Sequence, residues 1–133
     1  MIFHHIGIFV PSIEEGRRQI EAMFPIERCS EVFNDNALAV KIQFLWDHSG
    51  ICYEIVAPFG DKNPVSGLLA KRTNLLNHVA YLVTDMDEAL RKMNETRCLQ
   101  ITPPTPAVAF DLRPVCFLMT RLGFIVELIE TPE

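Results

Sequence analysis

The 133-residue chain is the size of one ordinary domain, and its 49% hydrophobic and 22% charged residues supply a core and exclude a disordered polymer. A net charge of −5, with no basic run longer than the pairs Arg17-Arg18 and Lys71-Arg72, excludes the electrostatic footprint of a nucleic-acid or anionic-membrane binder. No segment approaches the roughly 20 apolar residues of a bilayer span, and Met1-Ile2-Phe3-His4-His5 lacks the charged-then-apolar start of a secretory signal, so the expectation is a cytoplasmic protein with neither nucleic acid nor membrane as partner.

The first element is a half-buried strand, His5–Val10. Ser12-x-x-Glu15 then opens a helix with a capping-box pattern, and Ile13, Ile20 and Phe24 form its apolar stripe. Apolar, β-branched runs broken by turn residues follow around Cys29–Phe33, Leu38–Trp46 and Ile51–Ala57 and read as three strands. Asn63-Pro64 reads as an N-cap with proline at the first helical position, opening a short linker helix through about Lys71. The sequence then repeats the order. A strand at His78–Val83 leads to a helix opened by Asp85-x-x-Glu88, with Met86, Ala89, Leu90 and Met93 inward. Three strands follow at Thr96–Thr102, Val115–Thr120 and Phe124–Ile129, and Pro103-Pro104-Thr105-Pro106 is a stiff loop among them.

The unit is βαβββ, twice, and the repetition is visible in residues as well as elements. A constant offset of 73 positions carries His5 onto His78, Val10 onto Val83, Glu15 onto Glu88, Arg18 onto Arg91, Gly50 onto Gly123 and Glu54 onto Glu127. An ungapped register linking separate segments marks a duplicated module. The expected fold is therefore α+β, a single domain over residues 1–133 made of two modules, about 1–60 and 75–133, joined by a linker at 61–74.

Strand period places His5 on one face with Gly7 and Phe9, opposite the Ile6, Ile8 and Val10 face that packs on the helix. His78 shares its face with Ala80 and Leu82 in the same way. Glu54 and Glu127 sit mid-strand among apolar neighbours, where a carboxylate needs a cation, a hydrogen-bond network or a metal. If the two sheets form one half-barrel, His5, Glu54, His78 and Glu127 converge as a nitrogen and oxygen ligand set, suited to one divalent ion such as Co, Zn, Ni, Mn or Fe(II). An octahedral ion held by four side chains keeps two positions for neighbouring substrate oxygens. His4 alternates to the other face and reads as surface or supporting, and His48 lies in a turn, Trp46-Asp47-His48-Ser49-Gly50. Cys29, Cys52, Cys98 and Cys116 are widely spaced with no Cys-x-x-Cys pair, so free thiols are expected.

With these residues the sequence resembles the vicinal oxygen chelate (glyoxalase/bleomycin resistance) superfamily, and within it the methylmalonyl-CoA epimerase-like proteins. The resemblance rests on His5-Ile6-Gly7-Ile8, Tyr53-Glu54-Ile55-Val56-Ala57-Pro58, Asn63-Pro64-Val65 with Leu68-Leu69-Ala70-Lys71-Arg72, Asn77-His78-Val79-Ala80-Tyr81 and Gly123-Phe124-Ile125-Val126-Glu127-Leu128. It implies a glyoxalase-like half-barrel, metal ligation by His5, Glu54, His78 and Glu127, a small-molecule substrate such as an acyl-CoA thioester, and a homodimer. The implied chemistry is epimerisation or isomerisation by proton abstraction next to a carbonyl, with Glu127 and then Glu54 as proton carriers. Where some epimerases place a second glutamate this sequence offers Lys41 or Gln43, and Lys41 is a candidate for a second proton donor or for contacting an acidic substrate. The same ligand set would serve a glyoxalase I-type lyase acting on a thiol adduct. A non-catalytic small-molecule-binding protein of this fold is the other alternative.

Overall fold

A computed structural model describes residues 1–60, 64–72 and 75–132. In chain order the elements are β1 (Ile2–Phe9), α1 (Ile13–Met23), β2 (Ile26–Cys29), β3 (Phe33–Asp35), β4 (Val40–Asp47), β5 (Cys52–Pro58) and α2 (Pro64–Lys71). Then come β6 (Leu76–Val83), α3 (Met86–Glu95), β7 (Leu99–Gln100), β8 (Thr105–Ala107), a 3-10 turn (Val108–Phe110), β9 (Arg113–Met119) and β10 (Ile125–Glu130). The chain divides into two compact units, His5–Asn77 on one side and His78–Glu133 with Met1–His4 on the other. No helix among the described residues is long and apolar enough to cross a membrane.

Each unit is a mixed sheet of one topology. In the first, β5 lies between antiparallel β4 and parallel β1, and β4 carries both β2 and β3 on its far edge. In the second, β10 lies between antiparallel β9 and parallel β6, and β9 carries β7 and β8. Both parallel pairings join strands separated by long stretches of chain, as a parallel pair requires.

The helices form where the sequence caps them. Ser12 and Asp85 are extended at the N-cap and accept from the Glu15 and Glu88 amides at 3.1 Å each. Both helices then cover one side of their sheets. Val10, Ile20, Leu45, Ile55 and Ala57 are buried together in the first unit, with Ile8 and Ile13 packed against them. Val83, Met86, Ala89, Cys116, Leu118, Val126 and Leu128 do the same in the second, with Leu90 and Met93 alongside. Phe24 lies at the rim, stacked on Tyr53 at 5.5 Å between centroids.

The hairpin before each last strand is also duplicated. Gly50 and Gly123 adopt φ of +88° and +91°, a conformation that a side chain disfavours, and donate to the Asp47 and Thr120 carbonyls. The Asp47 carboxylate accepts from the Ser49 and Ile51 amides, and the Thr120 hydroxyl from the Phe124 amide.

Three expectations need correction. The strand read around Cys29–Phe33 is two short strands, because Ser30 breaks it: its hydroxyl accepts from the Phe44 amide at 3.0 Å and donates to the Glu31 carbonyl. The strand read at Thr96–Thr102 contracts to Leu99–Gln100, where Thr102 plays the same part, its hydroxyl accepting from the Phe117 amide at 3.1 Å. The proline loop contains β8, which survives on a sheet edge where Pro106 faces Pro114 and neither needs to donate. The linker helix is present from Pro64 to Lys71, whereas the Asn63 cap lies outside the described residues. All four cysteines are free thiols.

Candidate functional site

In the first unit β1 and β5 run parallel with Gly7 opposite Glu54, so the carboxylate rises from a position whose neighbour has no side chain. His5 lies two residues before Gly7 on the same face. Its Nε2 stands 3.5 Å from Glu54 Oε1, and the two side chains are 0% and 4% exposed. The second unit reproduces this with Ala80 opposite Glu127: His78 Nε2 stands 3.3 Å from Glu127 Oε1, at 3% and 5% exposure. Both separations exceed the usual 2.7–3.2 Å of an N–H···O hydrogen bond.

A phenylalanine completes each pair. Phe44 lies directly opposite Glu54 in the β4–β5 ladder and presents its ring to His5 at 5.6 Å and 63°. Phe117 lies opposite Glu127 and presents its ring to His78 at 5.6 Å and 85°. These edge contacts fix the imidazole planes in dry surroundings. The same 73-position offset relates the two phenylalanines, a signal that the choice of polar residues alone passes over.

Cys52 shares the Glu54 face. Burial, reinforced by the Glu54 charge and opposed by Arg28, pushes its thiol up to about 12, so the free thiol stays protonated at neutral pH.

Lys41 does not join them. It pairs with Ala57, and Ala57 belongs to the helix-covered side with Leu45 and Ile55. Period two therefore puts Lys41 on the face opposite Glu54, where its ammonium lies 5.3 Å from the Phe59 ring. The expected role of Lys41 as second proton donor is withdrawn on this ground. Gln43 is on the same wrong side, opposite Ile55, with its amide donating to the Ser30 carbonyl at 2.8 Å. His4 is half-buried and meets the Phe110 ring at 5.5 Å. His48 is an exposed turn residue whose amide donates to the Pro25 carbonyl.

The sequence reading also missed Arg28 and Trp46, which face each other across β2 and β4. The Arg28 guanidinium carbon lies 3.7 Å from the Trp46 ring centre. No spacing in the sequence reveals a cross-strand contact that depends on a bulge in β2.

Comparison with known proteins matches the fold. Residues 4–117 match the Glyoxalase/Bleomycin resistance protein/Dioxygenase superfamily. A curated relative, the mitochondrial methylmalonyl-CoA epimerase of Dictyostelium discoideum, is 28% identical over 131 residues, covering 96% of this chain and 76% of its own. The crystal structure of methylmalonyl-CoA epimerase from Mycobacterium tuberculosis superposes with a TM-score of 0.80 at 16% identity, over 98% of this chain and 87% of that one. A variant of the Streptomyces coelicolor methylmalonyl-CoA epimerase, solved with 2-nitronate-propionyl-CoA, superposes with a TM-score of 0.78 at 16% identity, over 100% and 99%. The fold is α+β and glyoxalase-like, and the chain belongs to the glyoxalase/bleomycin resistance/dioxygenase superfamily.

Proposed function

We propose that the chain is a divalent-metal-dependent epimerase or isomerase that moves a proton next to the carbonyl of an acyl-CoA thioester, with His5, Glu54, His78 and Glu127 together holding one ion. The observation that carries this reading is the repeated pair: a buried imidazole Nε2 facing a buried carboxylate oxygen at 3.5 Å in one unit and 3.3 Å in the other. Two donors about 2.1 Å from one ion stand roughly 3.0 Å apart at a right angle and roughly 3.4 Å apart at the tetrahedral angle. The 3.3 Å pair lies inside that range and the 3.5 Å pair just above its upper end, and both are longer than the usual N–H···O hydrogen bond. Two imidazoles and two carboxylates suit Co, Zn, Ni, Mn or Fe(II).

The ion would supply Lewis-acid polarisation of the substrate carbonyl, which acidifies the neighbouring C–H. The chain supplies the rest. Glu127 and Glu54 offer carboxylate oxygens on faces kept dry by Phe117 and Phe44, and for epimerisation one takes the α-proton from one face while the other delivers a proton to the opposite face. Gly7 and Ala80, the small residues opposite Glu54 and Glu127, put no bulky side chain beside either carboxylate. With Lys41 on the other face, both proton transfers fall to the two glutamates. The methylmalonyl-CoA epimerase relatives support an acyl-CoA as substrate.

The test is exchange of the α-proton of methylmalonyl-CoA in deuterated buffer, followed by NMR with metal-loaded protein. Exchange that needs metal, and that falls at least about a hundredfold in Glu127→Gln, is the expected result. Absence of exchange, with turnover of a thiol hemiacetal instead, would transfer the site to glyoxalase I-type chemistry. No reaction and no metal uptake would leave a binding protein.

A further inference from the structure

The two units carry the same histidine, glutamate and phenylalanine but differ at the next step along the same face. In the first, Trp46 pairs with Arg28 on one side and with Cys52 on the other. In the second, the matching β9 residue, Met119, pairs with Leu99 and Ile125 and the set is wholly apolar. What the duplication preserves serves the shared chemistry. What it does not preserve is free to recognise an asymmetric substrate.

Arg28 is exposed, and its guanidinium carbon lies 3.7 Å from the ring centre of the only tryptophan of the chain. Among the described residues no carboxylate stands within ion-pair distance of it. A cation–π contact over the indole restrains the guanidinium without using its N–H donors, which serve a phosphate through two parallel hydrogen bonds. Aromatic rings lead from there to the candidate centre: Trp46 is 6.0 Å from Phe44, and Phe44 is 5.6 Å from His5. Arg28 and Glu54 are two strands and about two residues apart, so at about 4.8 Å per strand and 3.4 Å per residue their Cα atoms are about 12 Å apart. That is too far for the acyl group of a bound thioester. It suits the end of a pantetheine arm, about four extended residues or roughly 14 Å long.

We propose that Arg28, held on Trp46, receives the diphosphate of a coenzyme A thioester whose acyl end lies at the His5 and Glu54 face. This rests on the acyl-CoA reading above and names the residue that distinguishes a nucleotide-tailed thioester from a short one.

Trp46 provides a readout independent of turnover. Tag-free, metal-loaded protein is titrated with propionyl-CoA, propionyl-3′-dephospho-CoA and propionyl-pantetheine, by tryptophan fluorescence and by calorimetry. In Arg28→Gln the dissociation constants of both phosphate-bearing ligands rise about tenfold or more, that of the pantetheine thioester less than twofold, and the salt dependence of the difference disappears. Arg28→Lys, which keeps the charge and loses the fork, falls between. Equal weakening of all three ligands, weakening confined to propionyl-CoA and thus to its 3′-phosphate, or no weakening of any overturns the assignment. The expected binding pattern without α-proton exchange would refute the epimerase reading and leave Arg28 standing.

Discussion

A few buried polar side chains of this chain repeat between the two units. His5, Glu54 and Phe44 in one unit and His78, Glu127 and Phe117 in the other share atoms, spacing and dryness. The histidines and glutamates were legible in the sequence because strand period and the offset of 73 isolate them among apolar neighbours. Lys41 was misread because its charge was weighed without its register; one residue of strand decides the face. A separate residue, Asp47, carries a pH prediction. Burial acts to raise its carboxyl, but the Ile51 amide and the Ser49 hydroxyl and amide outweigh it and hold the carboxyl below the ordinary aspartate value. A depressed folded value means stability that is present above the unfolded value of about 3.9 and lost as pH falls through the folded one. Asp47→Asn should therefore lower the urea midpoint at neutral pH, and the gap from wild type should close below about pH 4. A gap that stays constant down to pH 2 would show that Asp47 is not the titrating group.

At the scale of elements, α1 and α3 start from equivalent caps yet meet their sheets differently. A Cβ built on Gly16 would lie 2.7 Å from Val10 Cβ and Cγ1, and the β-branched Val10 has no flexible end to move aside. The equivalent position in α3 is Ala89, which is buried and accommodated. In an open helix Gly→Ala gains about 1 kcal/mol, but overpacking costs about 1–3 kcal/mol. Gly16→Ala should therefore be neutral to destabilising by up to about 2 kcal/mol in denaturant titration, and a gain near 1 kcal/mol would contradict the packing. Ser12→Ala and Asp85→Ala should each cost about 1 kcal/mol as cap losses. Helices, caps and long strands were legible because each has a local cause. The short edge strands were not, since Ser30 and Thr102 end or divide them through hydroxyl contacts with β4 and β9 that exist only once the sheet has formed.

At the scale of the molecule, duplication explains why so much followed from one register. The βαβββ order recurs in the second copy, down to the glycine turns at Gly50 and Gly123. Divergence between the copies is where sequence reasoning stopped: the Arg28 and Trp46 contact depends on a bulge that no residue announces. The central claim is that residues from both copies hold one ion. It is tested most directly by elemental analysis of tag-free protein beside His5→Ala and His78→Ala, with folding of each checked by circular dichroism. About one divalent ion per chain in the wild type, lost in both folded variants, is the predicted result. Loss in one variant only would assign the metal to a single pair, and no ion in the wild type after loading would contradict the metal-dependent function altogether.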